Sequence, residues 1–480
     1  MRSPPVLIGR PEEPSKMRHL LRQIRSRAFS LSLLRFIKSG HSRSIRTKWN
    51  IIAMFLLRGM GMCASFLIVP LNLKYLSQSD YGVWLTLSSF LGWMSLFDIG
   101  LGNGLRNKLA ETRARADAHR AQVFVSTTYA TIGIIAGAVY LVFLAGHRLL
   151  DWQAILNTDS HARQELESIV LLCFTIFVVR LVAGLINTIV IAFQRPALSY
   201  GIEILASFAS LILMWILVHT RERASLLSGA LALGVPLAVV PSGASLWLFA
   251  RTYREVRPSL RMVDFGCLRE LLPLGIRFFI IQIGGIAIFL SPNILITHLF
   301  SPAQVVEYNV AYKYYSILTI LFAIPLAPFW SAYTEAYAQN DFEWVHHTIA
   351  VLRSIWMLLV LMSVVMSIAA AQFYSMWLGN AIYVPTAVSW AMGVYVVINC
   401  WCAIYVNFIN GTGKVQLQCY AATAIAVLNI PLTIFLVKIC GLGVEGVILG
   451  PIACLMPLCF LWKIQVEKIL SGTARGIWNR

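Results

Sequence analysis

Long apolar stretches separated by short polar ones run through this chain from about residue 50 to residue 462. Twelve of them approach 20 residues: 50–70, 81–104, 121–145, 168–192, 200–218, 225–249, 275–299, 305–330, 350–371, 387–409, 417–437 and 444–462. A helix rises about 1.5 Å per residue, so each can cross a hydrocarbon core about 30 Å thick. The pattern predicts an all-α polytopic membrane protein of about twelve spans. No water-soluble domain fits between them, since the longest loops, 146–167 and 250–274, hold only roughly 20–25 residues.

Composition supports the bilayer as solvent. The 480 residues are 58% hydrophobic and 12% charged, whereas soluble domains run near about 25% charged. The formal charge of +18 would suit nucleic acid, but its distribution argues otherwise. Twelve Lys and Arg lie in the first 48 residues, and further basic runs fall at 105–120, 251–277 and the carboxyl tail. On a twelve-span topology 30 cations lie on one side and 6 on the other. By the positive-inside rule both termini are cytoplasmic, in a multi-pass protein of the cell inner (plasma) membrane. The nine cysteines sit mostly in apolar spans with no metal-ligand spacing, so they read as small buried hydrophobes, with neither a disulfide framework nor a metal site.

The organisation follows from these spans. Residues 1–47 form a basic, Ser-rich cytoplasmic extension, for which a transit peptide or a start at Met17 are alternatives. Spans 1–6 (48–250) make an N-lobe, 251–274 a cytoplasmic linker, spans 7–12 (275–465) a C-lobe, and 466–480 a cytoplasmic tail. Segment 194–217 can be laid over 412–435 as a weak internal repeat. Two parallel six-span lobes would leave a central cavity with a substrate site near mid-depth.

Charges inside the spans carry the candidate chemistry. A charge at membrane depth costs roughly 2.5–3.5 kcal/mol on insertion scales. Arg58 and Arg180 lie near the midplane of spans 1 and 4, too deep to snorkel. Lys313 lies in the outer third of span 8, and Arg277 at the cytoplasmic mouth of span 7, where snorkelling fits it well. Asp98 lies in the inner third of span 2, either paired with Arg58 or Arg106 or serving as a gate or ion-coupling group. The cationic excess points to an amphipathic anion, because guanidinium groups bind phosphate through planar paired hydrogen bonds. Tyr308, Asn309, Tyr312 and Tyr315 gather around Lys313, as glycan contacts or as an interfacial aromatic belt. Gly100, Gly102 and Gly104 follow a membrane helix, not a strand, so they suit close packing or a bend, not a nucleotide. Pro292 and Pro325 are expected to kink spans 7 and 8.

YGVWLTLSSFLGWMSLFDIGLGNGLRNKLAE at 81–111 resembles span 2 and its following loop in Wzx-type polysaccharide and O-antigen flippases. FINGTGKVQLQ at 408–418, LNIPLTIFL from 428 and GVEGVILG ending at 450 resemble their late spans. This family belongs to the multidrug/oligosaccharidyl-lipid/polysaccharide exporter (MOP) superfamily, and the resemblance covers roughly 48–465. It implies a MATE-like fold, with a cationic cavity built from spans 1, 2, 7 and 8 and alternating access. It also implies an undecaprenyl-diphosphate-linked oligosaccharide as substrate, carried for surface polysaccharide synthesis beside the polymerase and glycosyltransferases of the pathway. Arg58, Asp98, Arg277 and Lys313 fall on those four spans. No cofactor is expected, though a proton or sodium gradient could drive the cycle. A multidrug antiporter of the same superfamily is the alternative, and the basic excess argues against cationic drugs. No carboxylate pair or His/Asp constellation has spacing that suits an enzyme, and a scaffold role in glycan assembly stays open.

Overall fold

The computed structural model describes residues 42–93, 97–158, 163–193, 195–220, 224–379 and 381–479; at some helical positions, Arg277 among them, it describes the backbone alone. Two units are distinguished, residues 1–57 and 58–480. The described part of the first is helical from Ser42.

Described secondary structure is entirely helical. The first lobe comprises α1 (Ser42–Tyr75), α2 (Gln78–Trp93), α3 (Leu101–Ala114), α4 (Ala118–Gly146), the short α5 (Trp152–Leu156), α6 (Arg163–Ala183), α7 (Leu185–Ala192), α8 (Pro196–Thr220) and α9 (Leu226–Arg251). Three single 3-10 turns between Arg254 and Cys267 lead to the second lobe. It comprises α10 (Leu268–Phe289), α11 (Ser291–Leu299), α12 (Pro302–Ala338), α13 (Phe342–Leu378), α14 (Thr386–Thr412), α15 (Gln416–Lys438) and α16 (Val444–Leu470). Among the described residues, ten stretches are long and apolar enough to cross a membrane. The remaining two predicted spans lie on α2–α3 and on α12. The chain is a multi-pass membrane protein.

Local chemistry starts and interrupts these helices. Asp117, Ser225 and Asp341 each accept a backbone N–H one turn on, which satisfies an orphan donor of α4, α9 and α13. Span 4 divides at Gly184 into α6 and α7. Span 7 divides at Leu290, with Pro292 in the first turn of α11. The break frees the Ala287 carbonyl, which accepts from the Asn429 amide at 2.6 Å and from the Ser291 hydroxyl. In a bilayer a freed carbonyl needs such a partner, because no water reaches it. α12 runs past Pro325 as one continuous helix. The NGTGK motif is the turn ending α14: Gly413 closes it at φ 73°, a left-handed conformation natural to glycine.

The buried core is asymmetric. One cluster runs from Val69, Trp84, Ile169 and Leu233 of the first lobe into the whole second lobe, as far as Tyr333 and Phe408. A second fills the remaining half of the first lobe, around Leu105, Phe124, Ile189 and Leu248, and takes Tyr253, Val256 and Cys267 from the connecting segment and Leu271 from α10. This second half is the end that carries the basic segments 105–120 and 251–277, called here the basic face. So the lobes share one core at the far face, opposite the basic face. At the basic face, among the described residues, the second lobe enters the first lobe's cluster through Leu271 of α10, with Leu268 packed against it.

The lobes meet at the basic face where α3 packs on α10. A Cβ on Gly104 of α3 would stand 2.4 Å from the Leu271 carbonyl oxygen of α10. Beside it, Glu270 pairs with Arg120 at 2.8 Å and Lys108 at 3.5 Å. Lys108 also bonds Glu111 at 3.0 Å and holds its carboxyl below the usual carboxylate range. Being lowered, that carboxyl supports the network above its ordinary pKa and loses this as pH falls. These pairs lie at the surface, where solvent and salt screen them.

Candidate functional site

The broken span 2 is the centre of the site. Ile99 (φ 47°) and Gly100 (φ 73°) are both left-handed, a conformation a β-branched residue rarely adopts. They turn the chain into α3. Asp98 caps the new helix: its Oδ1 accepts from the Gly102 N–H at 2.9 Å. A Cβ on Gly102 would lie 2.8 Å from Asp98 Oδ2, so glycine keeps that space open. The expected pairing of Asp98 with Arg58 or Arg106 is not seen; among the described residues Asp98 has no ion pair. Asp98→Ala is therefore expected to lower stability by about 1 kcal/mol. Asp98→Asn should not, since the amide oxygen still accepts from Gly102. Thermal unfolding of the purified variants checks this, and equal melting of the two would show the cap contributes nothing.

Arg58 turns toward α8 of its own lobe. Its Nη2 donates to the Tyr200 hydroxyl at 2.8 Å, and its guanidinium lies 5.0 Å from the ring centroid. It has no ion pair among the described residues. Arg180, near the carboxyl end of α6, is exposed, and its charge acts on the Glu203 carboxylate of α8. Lys313 is half-buried on α12 without an ion pair among the described residues, and Glu307 lies half-buried on the same helix. The Arg277 side chain lies outside the described residues. The charge census passed over Glu203 and Glu307, although each is visible in the sequence as an acid within a span.

The aromatic cluster divides. Tyr308 and Tyr312 stack with centroids 6.3 Å apart at 9°. Tyr308 is buried and Tyr312 exposed. Tyr315 is fully buried, and its hydroxyl bonds Ser367 of α13 at 2.6 Å, which places it in the packing of the second lobe. The Asn309 amide donates to Asn293 Oδ1 at 2.8 Å.

That last bond belongs to a network that sequence reading did not find. Asn293 of α11 donates to Ser89 Oγ of α2 at 2.7 Å. The Thr86 and Thr297 hydroxyls meet at 2.6 Å. Gln78 donates to the Ala303 carbonyl at 3.1 Å, and Asn157 to the Thr297 carbonyl at 2.7 Å. Each of these bonds joins the first lobe to the second. At the same face Trp377 donates to the Phe66 carbonyl at 3.2 Å and packs on its ring at 4.7 Å. The far face is thus sealed by hydrogen bonds and aromatic packing. Among the described residues no group of three or more His, Cys, Asp or Glu is placed to hold a metal ion.

This architecture has known counterparts. The first is a multidrug resistance MATE family transporter of the MOP superfamily in its inward-facing conformation. It aligns at a TM-score of 0.69 and 15% identity, over 87% of this chain and 96% of that one. The outward-facing conformation of a MATE family transporter aligns at 0.60 and 16% identity, over 92% and 98%. In sequence, the chain is 22% identical over 431 residues to the "Putative O-antigen export protein" of Yersinia pseudotuberculosis, covering 86% of this chain and 95% of that protein. The chain has the MATE-type fold and is a relative of transport proteins. No family model matches it. The resemblance read from span 2 and the late spans agrees with both comparisons. The span 2 motif now has a structural account: Asp98 caps α3, Gly100 makes the turn, and Gly104 meets the opposite lobe.

Proposed function

We propose that this chain flips an undecaprenyl-diphosphate-linked oligosaccharide from the cytoplasmic to the outer leaflet of the inner membrane by alternating access. The product would feed surface polysaccharide synthesis, alongside the polymerase and glycosyltransferases of that pathway. The basic face is cytoplasmic in this reading, as are both termini. The O-antigen relative supports it.

The observation that carries the reading is Arg58, a guanidinium well inside α1 with no ion pair among the described residues. An uncompensated cation at that depth is costly unless an anion visits it. Arg58 and Arg180 would meet the diphosphate, with Lys313 and Arg277 as further cavity cations and Tyr308, Asn309 and Tyr312 toward the glycan. Tyr315, fully buried, would act through packing. An inside-negative potential favours anion exit by about 2.3 kcal/mol per charge per 100 mV. Asp98 would couple a proton or sodium ion to the cycle, so Asp98→Asn should lose transport at unchanged stability.

The test is complementation of a flippase-null strain. Arg58→Ala and Arg180→Ala are each expected to reduce surface glycan several-fold at normal protein levels, since a charge-assisted bond contributes about 1.5–3 kcal/mol. Wild-type glycan in both variants would remove the cationic site from the mechanism.

A further inference from the structure

On the first lobe, α1 and α8 run alongside each other, both leading away from the basic face. Two features of different chemistry lie along this pair. Nearer the basic face is the Arg58–Tyr200 contact, at 2.8 Å. Farther along, Leu67, Pro70 and Leu71 of α1 and Leu211, Ile212 and Trp215 of α8 line an apolar groove of about 380 Å³. Leu67, Ile212 and Trp215 are 57%, 55% and 54% exposed, so the groove opens toward lipid. At about 1.5 Å per residue, Leu67 stands about 14 Å beyond Arg58 and Leu211 about 16 Å beyond Tyr200.

We propose that this crevice is a binding site for the polyprenyl diphosphate of the substrate: Arg58 receives the diphosphate and the groove receives the chain. The proposal rests on the flippase reading above and adds where the lipid lies.

Three observations favour it. The order of the parts matches a lipid of the leaflet at the basic face, with its charged end toward that face and its tail leading away. Tyr200 occupies one N–H of a guanidinium that has five, so donors remain for phosphate oxygens. The groove is also a single slot between two helices, which fits one branched chain better than the paired chains of a phospholipid.

The experiment measures binding of two probes to the purified full chain: undecaprenyl diphosphate, and geranyl diphosphate, which is too short to reach the groove from Arg58. Leu67→Trp and Ile212→Trp fill the groove; Leu361→Trp, at an exposed position on α13, is the control. The groove variants are expected to weaken undecaprenyl diphosphate roughly tenfold and leave geranyl diphosphate unchanged. Arg58→Ala should weaken both, and Leu361→Trp neither. Melting temperatures equal to wild type show that the variants fold. Undecaprenyl diphosphate bound equally by wild type and groove variants overturns the groove assignment and leaves the flippase reading standing. Displacement of the probe by phosphatidylglycerol at matched concentration also overturns it, since the slot would then be a general lipid site. A wild-type chain that binds no undecaprenyl diphosphate overturns both.

Discussion

Gly82→Ala is expected to abolish transport by preventing closure of the far face. Gly82 of α2 packs directly on the start of α12, where a Cβ would stand 1.7 Å from the Pro302 carbonyl oxygen. No side chain can rotate away from that clash, because the atom it meets is backbone. The two helices must part by nearly 2 Å to restore ordinary contact near 3.4 Å. Parting them also strains the flanking bonds from Gln78 to Ala303 and between Thr86 and Thr297. Reversing a two-state population from 99:1 to 1:99 takes about 5.5 kcal/mol, and a backbone clash plus two or three bonds of about 1 kcal/mol each reaches that scale. Alternating access needs both states, so a chain held open at the far face cannot complete a cycle. The check is surface glycan in the null strain, together with labelling of a cysteine introduced at Trp377 in a cysteine-free background. Labelling from the far face should rise in Gly82→Ala. Gly133→Ala in α4, where a Cβ meets open space, should change neither. Normal transport by Gly82→Ala would mean that the far face never needs to close this tightly.

The sequence made the spans legible because hydropathy reports burial in lipid directly, and ten of the expected crossings correspond to long apolar helices among the described residues. The breaks were less legible. Pro292 marks the division of span 7 at Leu290, but the partner that satisfies the freed Ala287 carbonyl is Asn429, over a hundred residues away, and no local pattern reports it. Intramembrane arginines stand out in any charge census, as Arg58 and Arg180 did. The direction in which Arg58 points depends on Tyr200, which reads as one more aromatic in an apolar helix. Asp98 shows the same limit: its cap needs two consecutive left-handed residues, Ile99 and Gly100, and nothing in the sequence marks Ile99 as left-handed. Helical spacing grouped Tyr308, Tyr312 and Tyr315, yet it carries no record of what faces each ring, and Tyr315 meets Ser367 inside the lobe. The interlobe network was hidden for a further reason. It is made of Ser, Thr, Asn and Gln, which neither carry charge nor disturb hydropathy enough to be noticed.

Asn293 tests how much that hidden network contributes. Its amide donates to Ser89 Oγ at 2.7 Å and lies 3.4 Å from the Leu85 carbonyl, while its oxygen accepts from Asn309 at 2.8 Å. Leucine has nearly the same shape and can make none of these contacts. Membrane hydrogen bonds average about 0.6 kcal/mol and reach about 1.7, so Asn293→Leu should cost about 2 kcal/mol, or roughly 30-fold in the closed-to-open ratio of the far face. Because Ser89 is on the first lobe and Asn293 and Asn309 are on the second, the loss should appear in conformation as well as in melting. Far-face labelling at the Trp377 position should increase, as with Gly82→Ala, but transport should be reduced and not abolished, since no clash prevents closure. A double-mutant cycle with Ser89→Ala isolates the pair. Ser89→Ala should cost about 1 kcal/mol in the wild-type background and close to nothing after Asn293→Leu. Full additivity of the two substitutions would show that Ser89 and Asn293 do not work as a pair, and that the far face is held by packing around Gly82 and Trp377 alone.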